Sequence, residues 1–166
     1  STNRKTHINF NLIKEITENI FMPFTVGGGV QSIEDIRLLL KNGADKVAIN
    51  TAAFHDKNFI KDAVKNFGSQ CIIVSVDYKK KNGEEIVFTN SGKNNTKKNL
   101  YEYLKEINEL NIGEVLLTSI DRDGTMQGYD IEVVEKANKF LKAPIIASGG
   151  ARDYQDMFDL IQKTKI

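Results

Sequence analysis

Five short apolar runs in this chain leave through glycine or small polar residues, and each leads into a helical pattern, directly or after an excursion. They span Phe24–Gly29, Lys46–Thr51, Ile72–Asp77, Val115–Gly124 and Ile145–Gly150. An apolar strand that exits through Gly, Asn or Asp into a helix is a βα unit. In a parallel barrel the C-terminal ends of such strands converge on one face, and that face carries the chemistry. The pattern thus predicts an α/β barrel enzyme.

The intervening segments carry helical spacing. Residues 8–20 place Ile13, Ile16 and Ile20 on one stripe. Ser32 reads as an N-cap with an acidic residue, Asp35, at the third helical position. The helix it opens is expected to bury Ile33, Ile36 and Leu40 and to end at Gly43. Residues 57–67 align Ile60, Ala63, Val64 and Phe67 before Gly68. Leu100, Leu104, Ile107 and Leu110 mark a longer helix; Ile131, Val134 and Ala137 mark another. Met157, Phe158 and Ile161 mark the last. One segment breaks the alternation. Tyr78–Asn90 holds a charged turn, Lys79–Gly83, and then the β-prone Ile86–Thr89, so a hairpin should project beyond Asp77. A loop of that length in a compact domain is usually functional.

A repeat adds a second constraint. Pro23-Phe-Thr-Val-Gly-Gly-Gly29 resembles Pro144-Ile-Ile-Ala-Ser-Gly-Gly150, and a helix of similar length follows each. Two βα blocks of one wording suggest a barrel of two related halves. At 166 residues the chain is short for a closed eight-unit barrel, which typically takes about 250. The expectation is one domain over residues 1–166: an incomplete (βα)8 TIM barrel holding about strands 3 to 7. Two strands before Ser1 and one after Ile166 would be lacking. Five parallel strands alone would leave two bare edges, which natural sheets avoid.

Composition narrows the function classes. The formal net charge is +1, which argues against a nucleic-acid footprint or a basic membrane-binding face. No apolar run approaches the roughly 20 residues of a membrane span, and Ser1–His7 has no signal-peptide character. A cytoplasmic location is the default. The one cysteine, Cys71, forms no internal disulfide and reads as a buried thiol opening a strand. His7 and His55 stand apart from cysteines and metal-spaced carboxylates and read as structural. Asp121-x-Asp123 is not a calcium loop, because Met126 stands where that turn needs glycine. No metal and no cofactor are expected.

Asp77, at the mouth of an otherwise apolar strand, is the candidate general acid or base; a turn-initiating Asp is the plainer reading. Gly27-Gly28-Gly29 offers close backbone approach and bare N–H groups before a helix, a setting that suits phosphate. Its echo at Gly149-Gly150 suggests a second cradle, and hence a substrate with two phosphates. Asn50 and Thr51 would complete the first cradle; Asp123-Gly124 would help the second. Helix caps and an Asx turn are the alternatives for these residues.

On Pro23–Gly29, Gly43–Ala53, Phe67–Gln70, Val74–Asp77, Leu116–Thr125 and Ile145–Ala151, the chain resembles the cyclase subunit of imidazole glycerol phosphate synthase, the HisF family of histidine biosynthesis. The six motifs stand in that family's order and spacing. The resemblance implies a barrel of the ribulose-phosphate-binding type. It condenses ammonia with the bisphosphorylated intermediate PRFAR, closes an imidazole ring and releases AICAR. Asp77 matches one of two acid/base aspartates; the other lies on a first strand outside this chain. Gly29, Asn50 and Thr51 match one phosphate site, and Asp123, Gly124 and Gly150 the other, with Gly149 beside it. Thr118 and Ser148 match pocket-lining residues, and Ser91 lies in a matching substrate-covering loop. Lys46 and Glu114 match charged residues at the opposite end, where a glutaminase partner docks and ammonia enters. The opening Ser1–Phe10 differs from the usual cyclase wording. It is more similar to WbuZ-type paralogues, which work with an amidotransferase in amidination of surface-glycan sugars. A polypeptide lacking one catalytic aspartate and a strand should have negligible activity in isolation.

Overall fold

The computed structural model describes residues 8–166; His7 lies outside them. One sheet holds seven strands. Five are parallel, in the order β1 (Thr25–Gly27), β2 (Lys46–Ile49), β3 (Ile72–Lys81), β6 (Glu114–Ser119) and β7 (Ile145–Ser148). They alternate with helices α2 (Ile33–Lys41), α3 (Thr51–His55), α4 (Lys57–Phe67), α5 (Leu100–Asn108), α6 (Ile131–Asn138) and α7 (Tyr154–Thr164). A further helix, α1 (Phe10–Thr17), precedes β1. Alternating βα units on a parallel sheet make this part of a TIM barrel, as the strand pattern implies.

Strand alternation sorts the two faces. Ile72, Val74, Val76 and Tyr78 of β3 point into the core with Ile36 and Leu39 of α2, Ile60 of α4, Leu104 and Ile107 of α5 and Val134 of α6. Burying each such side chain is worth about 1.5–3 kcal/mol. Asp77 and Ser75 therefore point the other way, with Ala48, Thr118 and Ser148. The register sets Asp77 level with Thr118, and Thr118 level with Ser148.

Local chemistry explains the ends of the elements. Ser32 accepts a hydrogen bond from Asp35 N while Asp35 accepts from Ser32 N, a complete capping box. Gly43 follows the α2 cap with φ +102. The fully buried pair on α2 is Ile36 and Leu39, with Ile33 and Leu40 only partly buried. The run Leu38-Leu39-Leu40 is apolar throughout, so spacing alone could not choose among its members. Cys71 sits in a single 3₁₀ turn before β3 and is only partly buried, which corrects its reading as a buried strand residue.

The hairpin is present and larger than the sequence suggested. Strand β3 runs on through Lys81, and the turn is confined to Asn82-Gly83, both with positive φ (52° and 84°). That is the geometry of a two-residue type I′ connection. Strand β4 (Glu84–Thr89) returns antiparallel, and an unforeseen β5 (Asn94–Asn99) pairs with it.

Helix α7 forms, but its expected apolar markers are exposed: Met157, Phe158 and Ile161 face outward while Leu160 and Thr164 are buried. Among the described residues no helix is long and apolar enough to cross a membrane.

The hydroxyl of Tyr103, on α5, is buried with no hydrogen-bond partner among the described residues, and burial pushes its pKa well above the usual tyrosine value. An orphaned buried hydroxyl costs stability. Tyr103→Phe is therefore expected to leave the melting temperature unchanged or raise it; a drop of several degrees in a thermal melt would count against this packing.

Candidate active site

The strand exits meet on one side of the sheet. Strand β1 passes into Gly28 and Gly29 with φ of +101° and +74°; β7 passes into Gly149 and Gly150 with +95° and +94°. The sequence repeat is thus a repeat of backbone geometry, a left-handed glycine pair at each exit. At Gly28 a Cβ would meet nothing within 4 Å, so the backbone there is bare toward the cleft.

A cleft of about 460 Å³ opens at the β1–β2–β3 side. Its walls include Gly29, Asn50, Thr51, Ser75, Asp77 and Ser91. Asn50 occupies the N-cap position of α3 but makes no side-chain cap hydrogen bond; its Oδ1 instead accepts from Thr51 Oγ1 at 3.3 Å. Thr51 Oγ1 accepts from Asn90 N at 3.1 Å and ties the β4–β5 turn to the end of β2. That clasp brings Ser91 to the cleft. The N-terminus of α2 contributes less than expected. Asp35 already takes the N–H groups of Gln31 and Ser32 at 2.9 Å, and its negative charge opposes an anion there. The bare N–H groups of this cradle come from the glycine exit and the first turn of α3.

Burial pushes the Asp77 carboxyl above the ordinary carboxylate value; a hydrogen bond from the Asn50 side chain pulls it down, and the charge of Asp123 pushes it up again. A carboxyl whose pKa is raised at a strand mouth is suited to proton transfer. Asp123 belongs to the other side of the mouth, so its charge couples the two halves of the site.

Thr118, Asp123, Gly124, Ser148, Gly149 and Gly150 gather on the β6–β7 side and do not line that cleft. A Cβ on Gly149 would lie 2.5 Å from Ser119 O, and one on Gly150 would collide with Gly128 O. Gly128 N donates to Gly150 O at 2.7 Å, which fixes the β6–α6 loop against the end of β7. Asp121 accepts from Lys80 N at 2.8 Å and anchors the base of the hairpin.

At the opposite end of the strands, Lys46 Nζ donates to Glu114 Oε1 at 2.5 Å. The pair spans β3, and both residues line a cavity of about 400 Å³ with Ser69, Gln70 and Lys142.

A family model described as "Histidine biosynthesis protein" matches residues 1–166. The chain belongs to the histidine biosynthesis protein family. Among curated relatives, imidazole glycerol phosphate synthase subunit HisF of Sulfolobus acidocaldarius is 47% identical over 159 residues, 96% of this chain and 63% of the relative. The same-named protein of Flavobacterium johnsoniae is 43% identical over 162 residues, covering 98% and 64%. That of Streptococcus mutans is 39% identical over 165 residues, covering 99% and 65%. The chain thus spans a little under two thirds of the length of the relatives it matches.

Some lining residues of this family member escaped the sequence reading. Ser75 lies two residues before Asp77 and so shares its face, a signal that strand alternation contained. His55, read as structural, lines the cleft one helical turn after Thr51. Asn90 announced itself only by Asn-Ser-Gly turn chemistry. Among the described residues no group of three or more His, Cys, Asp or Glu side chains is placed to hold a metal.

Proposed function

We propose that this chain is part of the cyclase subunit of imidazole glycerol phosphate synthase. The enzyme takes ammonia from a glutaminase partner and converts PRFAR to imidazole glycerol phosphate and AICAR, a lyase reaction of histidine biosynthesis in the cytoplasm. Residues 1–166 form part of one barrel domain, completed by strands from chain outside them. The observation that carries the reading is the placement of Asp77. It stands on the central strand with a raised pKa, flanked by two left-handed glycine exits.

Gly29, Asn50 and Thr51 hold one phosphate, with Ser91 covering it. Asp123, Gly124, Gly149 and Gly150 shape the other site, and Thr118 and Ser148 line the pocket between. Asp77 moves a proton as ammonia adds and the ring closes, paired with a second acid/base group. The Lys46–Glu114 end receives the glutaminase and its ammonia. No residue here needs a cofactor for these roles.

The test is turnover of PRFAR by the full-length protein supplied with an ammonium salt. Imidazole glycerol phosphate and AICAR should appear in equal amounts. A folded full-length protein that yields neither would overturn the reading and favour a paralogue that amidinates surface-glycan sugars.

A further inference from the structure

The β6–α6 loop is held in one shape by a side chain that the proposed reaction does not use. Arg122 lies immediately before Asp123 and Gly124. Its Nη1 donates to Gly128 O at 3.1 Å and to Gln127 O at 3.4 Å, folding the loop back on itself. Its Nε lies 4.0 Å from Asp130 Oδ2, and that carboxylate accepts from Tyr78 OH at 3.3 Å. Tyr78 is the residue after Asp77, pointing into the core. Two further bonds complete the closure: Thr125 Oγ1 donates to Arg122 O at 2.7 Å, and Asp123 N donates to Ser119 O at 3.0 Å.

We propose that Arg122 is a positioning residue: it locks residues 122–128 into the shape that receives one phosphate of the substrate, and it acts through the loop, not on the ligand. The inference rests on the cyclase reading. Its physical basis is that the guanidinium is already engaged. A planar fork suited to bidentate anion contact instead spends Nη1 on two loop carbonyls and faces Asp130. The chain Arg122–Asp130–Tyr78 also ties the loop to the strand that carries Asp77.

The experiment compares the full-length protein with Arg122→Ala and Arg122→Lys. It measures kcat and KM for PRFAR at saturating ammonium, and amide hydrogen exchange of residues 122–128 without substrate. Arg122→Ala should raise KM at least tenfold, leave kcat within a few-fold of wild type, and speed exchange at Gly128. Lysine supplies one point charge and should restore part of both. Unchanged KM would overturn the inference. So would a raised KM with normal Gly128 protection, because Arg122 would then touch the substrate itself. A fall in kcat that tracks lost melting temperature would reduce the role to folding. If Arg122→Ala does not fold, Asp130→Asn is the second variant. It keeps a partner for Tyr78, removes the charge facing Arg122, and should raise KM in the same direction. Absence of wild-type turnover would instead remove the cyclase reading, with Gly128 exchange still reporting on the clamp.

Discussion

Asp77→Asn is expected to lower kcat for PRFAR by about 10²–10⁴-fold, the usual worth of a general acid or base, and at the same time to raise the melting temperature at neutral pH. Both effects come from one cause. Burial penalises the ionised carboxylate, Asn50 offsets part of that, and Asp123 adds repulsion. The folded-state pKa therefore lies above the unfolded one. A group shifted in that sense contributes stability below its unfolded pKa and loses it as pH rises through the folded value. Asparagine stays neutral throughout, so the variant keeps at pH 7 what the wild type has lost. The two melting curves should converge in acid, separate as pH rises from the ordinary carboxylate pKa through the raised one, and stay apart above it, with the variant higher. Retained turnover would remove Asp77 from the chemistry. A variant less stable than wild type at every pH would show that burial of the charge is not what sets its pKa.

The strands of this site were readable because each apolar run has a polar or glycine exit. The alternation of β3 also put Ile72, Val74, Val76 and Tyr78 on one face and Asp77 on the other. The two glycine exits were legible as a repeat because only glycine accepts such backbone angles cheaply. Helix α4 fell on its expected bounds, since Asp56 caps one end and Gly68 the other. What stayed hidden was set by partners distant in sequence. Strand β5 reads Asn-Asn-Thr-Lys-Lys-Asn, and its strand character comes from the ladder with β4, not from burial. The competition of Asp35 for N–H groups near Gly29 follows from a capping box that was itself visible, but its consequence for an anion needed the geometry. The engagement of Arg122 with two carbonyls and Asp130 has no sequence signature at all.

The apolar face of α7 makes the same point from the other direction. Spacing marked Met157, Phe158 and Ile161 as the apolar positions of this helix, yet Phe158 is 55% exposed. Ile146, on the inner face of β7, is 40% exposed. Strands β1 and β7 each pair with only one neighbour among the described residues. Exposed apolar side chains beside an unpaired strand are what a barrel segment presents where further βα units pack. The spacing thus reported the environment of a larger barrel than the 166 residues build, in keeping with the length of the relatives.

Gly150→Ala is the substitution expected to disrupt the β6–β7 side most. Two costs combine. At φ +94° a residue with a Cβ is strained by about 1–3 kcal/mol. That Cβ would also collide with Gly128 O and approach Arg122 Cβ at 3.1 Å. The second cost has no cheap escape, because its target is backbone held by the bond from Gly128 N to Gly150 O. Gly83 supplies the control. Its φ is +84°, but a Cβ there meets nothing within 4 Å. Gly83→Ala should show the backbone cost alone, with KM for PRFAR unchanged, since neither residue of the turn lines the cleft. Gly150→Ala should lose more stability than Gly83→Ala in denaturant titrations of the full-length protein. It should also raise KM, because relief of the collision moves the loop that carries Asp123 and Gly124. Equal losses in the two variants, or an unaltered KM in Gly150→Ala, would mean that the loop can yield without disturbing the site, and the tight seating of Gly128 on Gly150 would then have no part in binding.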